Sequence, residues 1–270
     1  MGKELEAMEK KHHHHHFVLV HGIGHGAWCW YKLVPLLRLA GHRVTAVDLA
    51  ASGIHPQRLD EVASFADYAE PLMQAIAAVP ALHERVVLVG HSYGGVGLAV
   101  AMERFPEKIA AAVFVTAIMP SPSSSMTTIA EEFFKGHPLE AYMDSKVEIT
   151  HDRRSFSLAM GSNYLSTKLY QLSPPEDLAL ATSLLRPGSF FFKDLSDNMV
   201  LTEKNYGSVK RAFIVCKEDK AMVEDLQLWM VKRSPPPAEV KEIDGADHMV
   251  MLSKPKELCD LLLEVADRCQ

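Results

Sequence analysis

The chain has 270 residues, 48% of them hydrophobic, and a formal net charge of -6 with its lysines and arginines spread among acidic residues. That is enough apolar material for one full core, and the lack of a basic stripe excludes nucleic acid as a partner. No apolar run reaches the ~20 residues that span a bilayer, which excludes a membrane partner; with a charged start and no h-region, a cytoplasmic protein is expected.

The start, through the run His12 to His16, reads as a flexible lead-in over residues 1–16. A homopolymeric histidine tract is compositionally a tag or low-complexity segment, and no metal site is assigned to it. Apolar runs then alternate with helical stretches: "FVLVH" (17–21), a helix near 29–40, "RVTAVDL" (43–49), a helix near 65–79, "RVVLVG" (85–90), a helix near 93–104, and "AAAVFVT" (110–116). Continuous Val-rich runs between helices predict an α/β fold, a mostly parallel central sheet with helices on both faces. The alternation stops at "MPSPSSSMTT" and resumes at "RAFIVC" (211–216), "AEVKEI" (238–243) and a final helix over about 255–267. Residues 17–119 and 206–270 are therefore read as the core, and 120–205 as an inserted, mainly helical cap over the carboxyl ends of the strands. A capping box at Ser173 and Glu176 and a stop at Pro187-Gly188 are expected inside the cap. Cys29, Cys216, Cys259 and Cys269 form no C-x-x-C pair and read as free thiols in a reducing compartment.

Gly90-His91-Ser92-Tyr93-Gly94 follows a strand directly and precedes a helix directly. A turn that tight needs small flanking residues, and its backbone strain projects the serine Oγ above the sheet. Ser92 is thus the candidate nucleophile, against the blander alternative of a glycine-rich turn with an incidental serine. A serine hydroxyl needs a base, and an imidazole needs a partner on its other nitrogen. After such an elbow the chain order is serine, acid, histidine. "RAFIVC" runs into "KEDKAM", placing Asp219 at a strand's carboxyl end, and "AEVKEI" runs into "DGADHM", placing His248 at the same edge. Asp247 adjoins His248, but neighbours in an extended loop point apart. Glu218 is the stronger rival for the acid.

"HGIGHGAW" after the first strand has two readings. In one, the backbone N–H groups of Ile23 and Tyr93 form an oxyanion hole. In the other, Gly22, Gly24 and Ala27 match a dinucleotide fingerprint, with Asp48 as the ribose-binding acid. Trp28 would crowd the pyrophosphate, and the elbow, Asp219 and His248 would go unexplained, so the first reading is preferred and no cofactor is expected.

"HFVLVHGIGHGAWCWYKLVPLLRLAGHRVTAVDLAASGI", "VVLVGHSYGG", "EKIAAAVFVTAIMP", "RPGSFFFKDL", "YGSVKRAFIVCKEDK" and "GADHMVMLSKPKELCDLL" resemble the plant methylesterase and hydroxynitrile lyase family of α/β-hydrolases. The cap phrase "YMDSK" and "RPGSFFFKDL" are most like members acting on alkaloid esters. The resemblance implies an α/β-hydrolase fold and a cofactor-free enzyme, often a homodimer, that hydrolyses methyl esters of plant hormones or alkaloid intermediates. By position it implies a Ser92, Asp219, His248 triad with Ile23 and Tyr93 at the oxyanion hole. Lyases of this kind carry a threonine, an acid and a lysine where this chain has Gly22, His91 and Met249, three positions expected in the substrate pocket. A thioether at 249 cannot stabilise departing cyanide by charge, which favours hydrolysis; the alternatives are a hydroxynitrile lyase and a hormone receptor on the same fold. The cap has no tryptophan, so an aromatic wall is expected to be missing and a bulkier, indole-alkaloid type of ester favoured, possible decarboxylation following hydrolysis. Met126, Met143 and Met160 are expected to supply adaptable lining.

Overall fold

The computed structural model describes residues 14–80, 85–149, 156–234 and 239–269. The Val-rich runs form β1 (His16–Val20), β2 (Arg43–Val47), β3 (Val86–His91) and β4 (Ile109–Val115). The segment that follows β4 holds α-helical and short β elements described below, after which the chain returns to the sheet. The returning strands are the eighth and ninth of the chain and complete a six-stranded sheet that is parallel at every pairing. The central strands are buried along nearly their whole length, which is why their sequences are continuous apolar runs and not alternating ones.

Helices α1 (Leu33–Leu39), α2 (Phe65–Ala77) and α3 (Gly94–Arg104) belong to the first half. The approach of α3 to the sheet explains its glycines. A Cβ on Gly94 would lie 2.6 Å from the carbonyl oxygen of His21, and one on Gly95 would lie 2.1 Å from that of Ile118. Only bare Cα atoms let the helix start directly against the loops that leave β1 and β4.

Between β4 and the next sheet strand come α4 (Met126–Lys135), β5 (Lys146–Ile149), β6 (Phe156–Ala159), α5 (Ser162–Tyr164), α6 (Pro175–Leu184), β7 (Gly188–Ser189) and α7 (Phe192–Asn198). The segment is mostly helical, but β5, β6 and β7 form an antiparallel sheet that the sequence pattern did not reveal. Strands of two to four residues are too short to display a period. The expected capping box is not made: α6 starts on Pro175 with no side-chain cap, and Ser173 Oγ donates instead to Asp247 Oδ2 at 2.8 Å. Partly buried polar contacts tie this segment to the sheet's loops. The Asp177 carboxylate accepts from Tyr31 Oη and Lys32 Nζ, both at 2.5 Å, and Arg186 Nη1 donates to the His55 carbonyl at 2.7 Å.

The sheet is completed by β8 (Lys210–Cys216) and β9 (Glu239–Ile243), in the order β2-β1-β3-β4-β8-β9, with α8 (Glu224–Lys232) between them and α9 (Val250–Ser253) and α10 (Pro255–Asp267) after. No helix among the described residues is long and apolar enough to cross a membrane. The histidine run ends differently from expectation. Residues 1–13 of the expected lead-in lie outside the described residues, but His16 opens β1, is buried, and hydrogen-bonds through Nε2 to Thr45 Oγ1 at 2.9 Å. The core thus begins within the run.

Candidate active site

Four neighbouring strands, β3, β4, β8 and β9, end at one edge of the sheet and deliver Ser92, Thr116, Asp219 and His248 to it. Ser92 follows β3 with φ +53°, the left-handed conformation that a strand-to-helix elbow requires. Its N–H donates to the Val115 carbonyl at 3.3 Å, and its own carbonyl accepts from Gly95 N at 3.2 Å and Ile118 N at 2.9 Å. The strain is therefore held by backbone contacts to the next strand and to α3.

The Asp219 carboxylate receives four hydrogen bonds. Oδ1 accepts from the N–H groups of Ala221 at 2.7 Å and Met222 at 2.8 Å. Oδ2 accepts from Thr116 Oγ1 at 2.5 Å and from His248 Nδ1 at 2.6 Å. A carboxylate only accepts, so Nδ1 carries the proton and Nε2 is left bare for a donor on its other side. Glu218, the rival acid, is exposed and is engaged through its backbone: its carbonyl accepts from Gln171 Nε2 at 2.6 Å and its N–H donates to the Ala246 carbonyl at 3.1 Å. Asp247 is fully buried but faces elsewhere: Oδ1 accepts from Met249 N at 3.0 Å, and Oδ2 from Leu172 N at 3.0 Å and Ser173 Oγ. It pins the segment ahead of α6, a task no local pattern announces.

Ser92 and His248 open onto one cavity, and the two residues expected at the oxyanion hole, Ile23 and Tyr93, line it with them. The rest of its wall includes Phe133, Tyr142, Leu158, Met160, Tyr164, Phe190 and Met222. Three expectations about this pocket are corrected. The aromatic wall is present, built from phenylalanine and tyrosine in place of tryptophan. Of the three methionines only Met160 reaches the cavity; Met126 is packed in the core and Met143 is exposed. Gly22, His91 and Met249, expected on the wall, lie behind it. A Cβ on Gly22 would stand 2.9 Å from Ser92 Cβ, His91 is buried with Nε2–H donating to the His248 carbonyl at 2.7 Å, and Met249 turns into the core as the chain enters α9.

Two further histidines, unremarked in the sequence, shape the glycine loop. His21 donates from Nδ1 to the Gly22 carbonyl at 2.8 Å and accepts at Nε2 from Leu49 N at 3.1 Å. His25 donates from Nδ1 to the Ile23 carbonyl at 2.9 Å and accepts at Nε2 from Tyr170 Oη at 2.7 Å. Asp48, the acid of the dinucleotide reading, is already taken: Oδ1 accepts from Ala27 N at 2.7 Å and Oδ2 from Ile54 N at 3.4 Å. The loop's own backbone thus occupies the carboxylate a ribose would need.

Burial keeps this histidine cluster neutral. It lowers His21, pushes His25 down to about 3 against the opposing pull of its bond to Ile23, and holds His91 well below the ordinary range, with His248 adding to the effect on His91. Below the ordinary value of 6.5 the unfolded chain takes up protons that these folded imidazoles refuse, so stability falls as pH drops through that value. For His25 the loss is roughly 1.4 kcal/mol per pH unit down to its folded value, and His21 and His91 act in the same direction. The melting temperature is therefore expected to fall by several degrees between about pH 7.5 and pH 5.5, less steeply in His25→Gln. A melting temperature flat across that interval would contradict neutral burial.

A strained serine at a strand-to-helix elbow, sharing a cavity with a histidine that is oriented by a buried carboxylate on an adjacent strand, defines the serine hydrolases of open α/β sheets. Residues 17–261 match the model of the alpha/beta hydrolase family. Over 254 residues the chain is 53% identical to a probable esterase, PIR7A, of Oryza sativa subsp. indica, spanning 93% of this chain and 96% of that protein. It is 48% identical to Methylesterase 1 of Arabidopsis thaliana over 97% of this chain and 98% of that one. The crystal structure of polyneuridine aldehyde esterase superposes with a TM-score of 0.90 at 48% identity, covering 94% of this chain and 100% of that chain. The chain belongs to the α/β-hydrolase family and, within it, to the plant esterases and methylesterases, a group of serine carboxylesterases.

Proposed function

We propose that this protein is a carboxylic methylesterase that works through a Ser92, His248, Asp219 triad and an acyl-enzyme. Ser92 Oγ attacks the ester carbonyl while His248 Nε2 takes its proton, and Asp219 holds the imidazole in the required tautomer. The negative charge that forms on the carbonyl oxygen rests on the N–H groups of Ile23 and Tyr93. The C–O bond to the methoxy group breaks, and His248 returns the proton to release methanol. Water, deprotonated by His248, then attacks the acyl-enzyme and frees the acid and Ser92. No cofactor enters these steps, and residues 120–205 serve as the cap that keeps bulk water from the acyl-enzyme.

The observation that carries this reading is the shared cavity of Ser92 and His248, with His248 Nδ1 2.6 Å from Asp219 Oδ2. Two features favour hydrolysis over cyanide release. Neither lysine nor arginine is among the described residues lining the cavity, and a side chain at position 22 would press on Ser92 itself. Because Phe133, Tyr142, Tyr164 and Phe190 form a ring-rich apolar wall, the acid half is read as apolar and ring-bearing, of the kind found in plant hormones and specialised metabolites. An indole-alkaloid acid is the second reading, supported by the likeness to polyneuridine aldehyde esterase; a β-formyl acid released from such an ester loses CO₂ without further help.

Methyl jasmonate, methyl salicylate, methyl indole-acetate and indole-alkaloid methyl esters, incubated separately and followed by mass spectrometry, test the assignment. Turnover of at least one ring-bearing ester is expected. Tight binding without turnover would point to a hormone receptor, and cyanide release from an aromatic cyanohydrin to a lyase.

A further inference from the structure

Thr116 occupies the position between the two halves of the site. It follows β4, whose neighbours are the serine strand β3 on one side and the acid strand β8 on the other. It is fully buried and has φ +38°. A β-branched residue in that region is a conformational outlier that persists only where the surroundings over-determine it. The surroundings here do so from both sides. The Thr116 N–H donates to the Ile214 carbonyl of β8 at 2.9 Å, while the flanking Val115 carbonyl and Ile118 N–H clasp the backbone of Ser92. Its hydroxyl donates to Asp219 Oδ2 at 2.5 Å, the same oxygen that receives His248 Nδ1–H at 2.6 Å.

We propose that Thr116 is a positioning residue for the reaction, acting through Asp219. This rests on the reading of Ser92, Asp219 and His248 as a triad. A carboxylate oxygen presents two lone-pair directions to its donors. With one filled by the Thr116 hydroxyl, the other is left for the imidazole, so a single His248 orientation satisfies both. The two backbone donors on Oδ1 prevent the carboxylate from rotating to escape that choice. The strained turn is thus the device that relates the two halves: its flanking residues hold the serine backbone while Thr116 holds the acid side chain. A valine of the same shape would keep the turn and lose the aim.

The test measures kcat, KM and melting temperature for wild type, Thr116→Val, Thr116→Ala, Thr116→Ser and Ser92→Ala, with p-nitrophenyl acetate as the probe. Val and Ala are expected to lose roughly ten- to a hundredfold in kcat, the size of a lost hydrogen bond to a charged group, with KM within about twofold. Ser, which keeps the hydroxyl, is expected to recover most of the loss. Should Val fail to melt cooperatively, the Ala and Ser pair decides, since both relieve the branched side chain and differ in the hydroxyl. Wild-type kcat in Val or Ala, with Ser92→Ala inactive, would overturn the proposal while leaving the triad standing. Equal losses in Ala and Ser, tracking melting temperature, would overturn it in favour of a purely structural turn. Undiminished turnover in Ser92→Ala would remove the triad and the proposal together.

Discussion

Ser92→Ala is expected to reduce kcat for methyl-ester hydrolysis by roughly 10⁴- to 10⁶-fold, with KM changed little and the fold intact. The substitution removes one oxygen and keeps Cβ. The elbow is held by main-chain contacts, from Ser92 N to Val115 and from Gly95 and Ile118 to the Ser92 carbonyl, none of which involves the hydroxyl. The donors proposed for the oxyanion, at Ile23 and Tyr93, are also main-chain groups and survive the change. What is lost is the nucleophile alone. A variant within tenfold of wild type, measured by methanol release, would remove the serine from the mechanism.

Asp219→Asn is the second large effect, about 10⁴-fold in kcat. The carboxylate accepts four hydrogen bonds, two per oxygen. An amide has one accepting oxygen and one donating nitrogen. If the nitrogen faces His248, the imidazole must move its proton to Nε2 and can no longer take one from Ser92. If it faces the other way, it confronts the N–H groups of Ala221 and Met222. The first orientation disables the base and the second sets donor against donor in a buried site, which costs about 1–3 kcal/mol of stability. Thermal melts alongside kcat separate the two consequences, and a stable, fully active Asn variant would contradict the role given to Asp219. Glu218→Gln, on an exposed side chain, provides the comparison.

What the sequence disclosed and what it hid follow from the range of the interactions concerned. Central strands buried on both faces must be apolar throughout, so β1, β3, β4 and β8 were legible as runs of Val, Leu, Ala and Phe. The serine elbow was legible because the constraint is local: a serine between glycines, after a strand and before a helix. The His248–Asp219 pair could be placed because chain order and strand ends restrict where an acid and a base can meet. Thr116 left no such mark. It reads as the last residue of an apolar strand, and its hydrogen-bond partner is far along the chain.

The cavity wall leaves no mark in the sequence for the same reason. Phe133, Tyr142, Tyr164 and Phe190 come from separate elements of the segment between β4 and β8, and only folding gathers them. A cap without tryptophan can still present an aromatic surface, assembled here from phenylalanine and tyrosine rings. His91 and Met249 show the converse: each adjoins a site residue in sequence, yet each packs behind it, because the chain reverses direction at the elbow and turns into α9 after His248. Adjacency along the chain does not decide which side chain faces the cavity: Tyr93 lines it, while His91 and Met249 do not.

Hydrolysis in H₂¹⁸O, with the acid and methanol products and the protein itself weighed by mass spectrometry, tests whether the ester is cleaved through an acyl-enzyme on Ser92. A ring-bearing methyl ester is expected to yield an acid carrying one ¹⁸O and methanol carrying none, and denaturing the protein during turnover is expected to leave an acyl group on the peptide containing Ser92. Methanol bearing the label, or steady turnover in wild type and Ser92→Ala alike with no acylated Ser92, would contradict it.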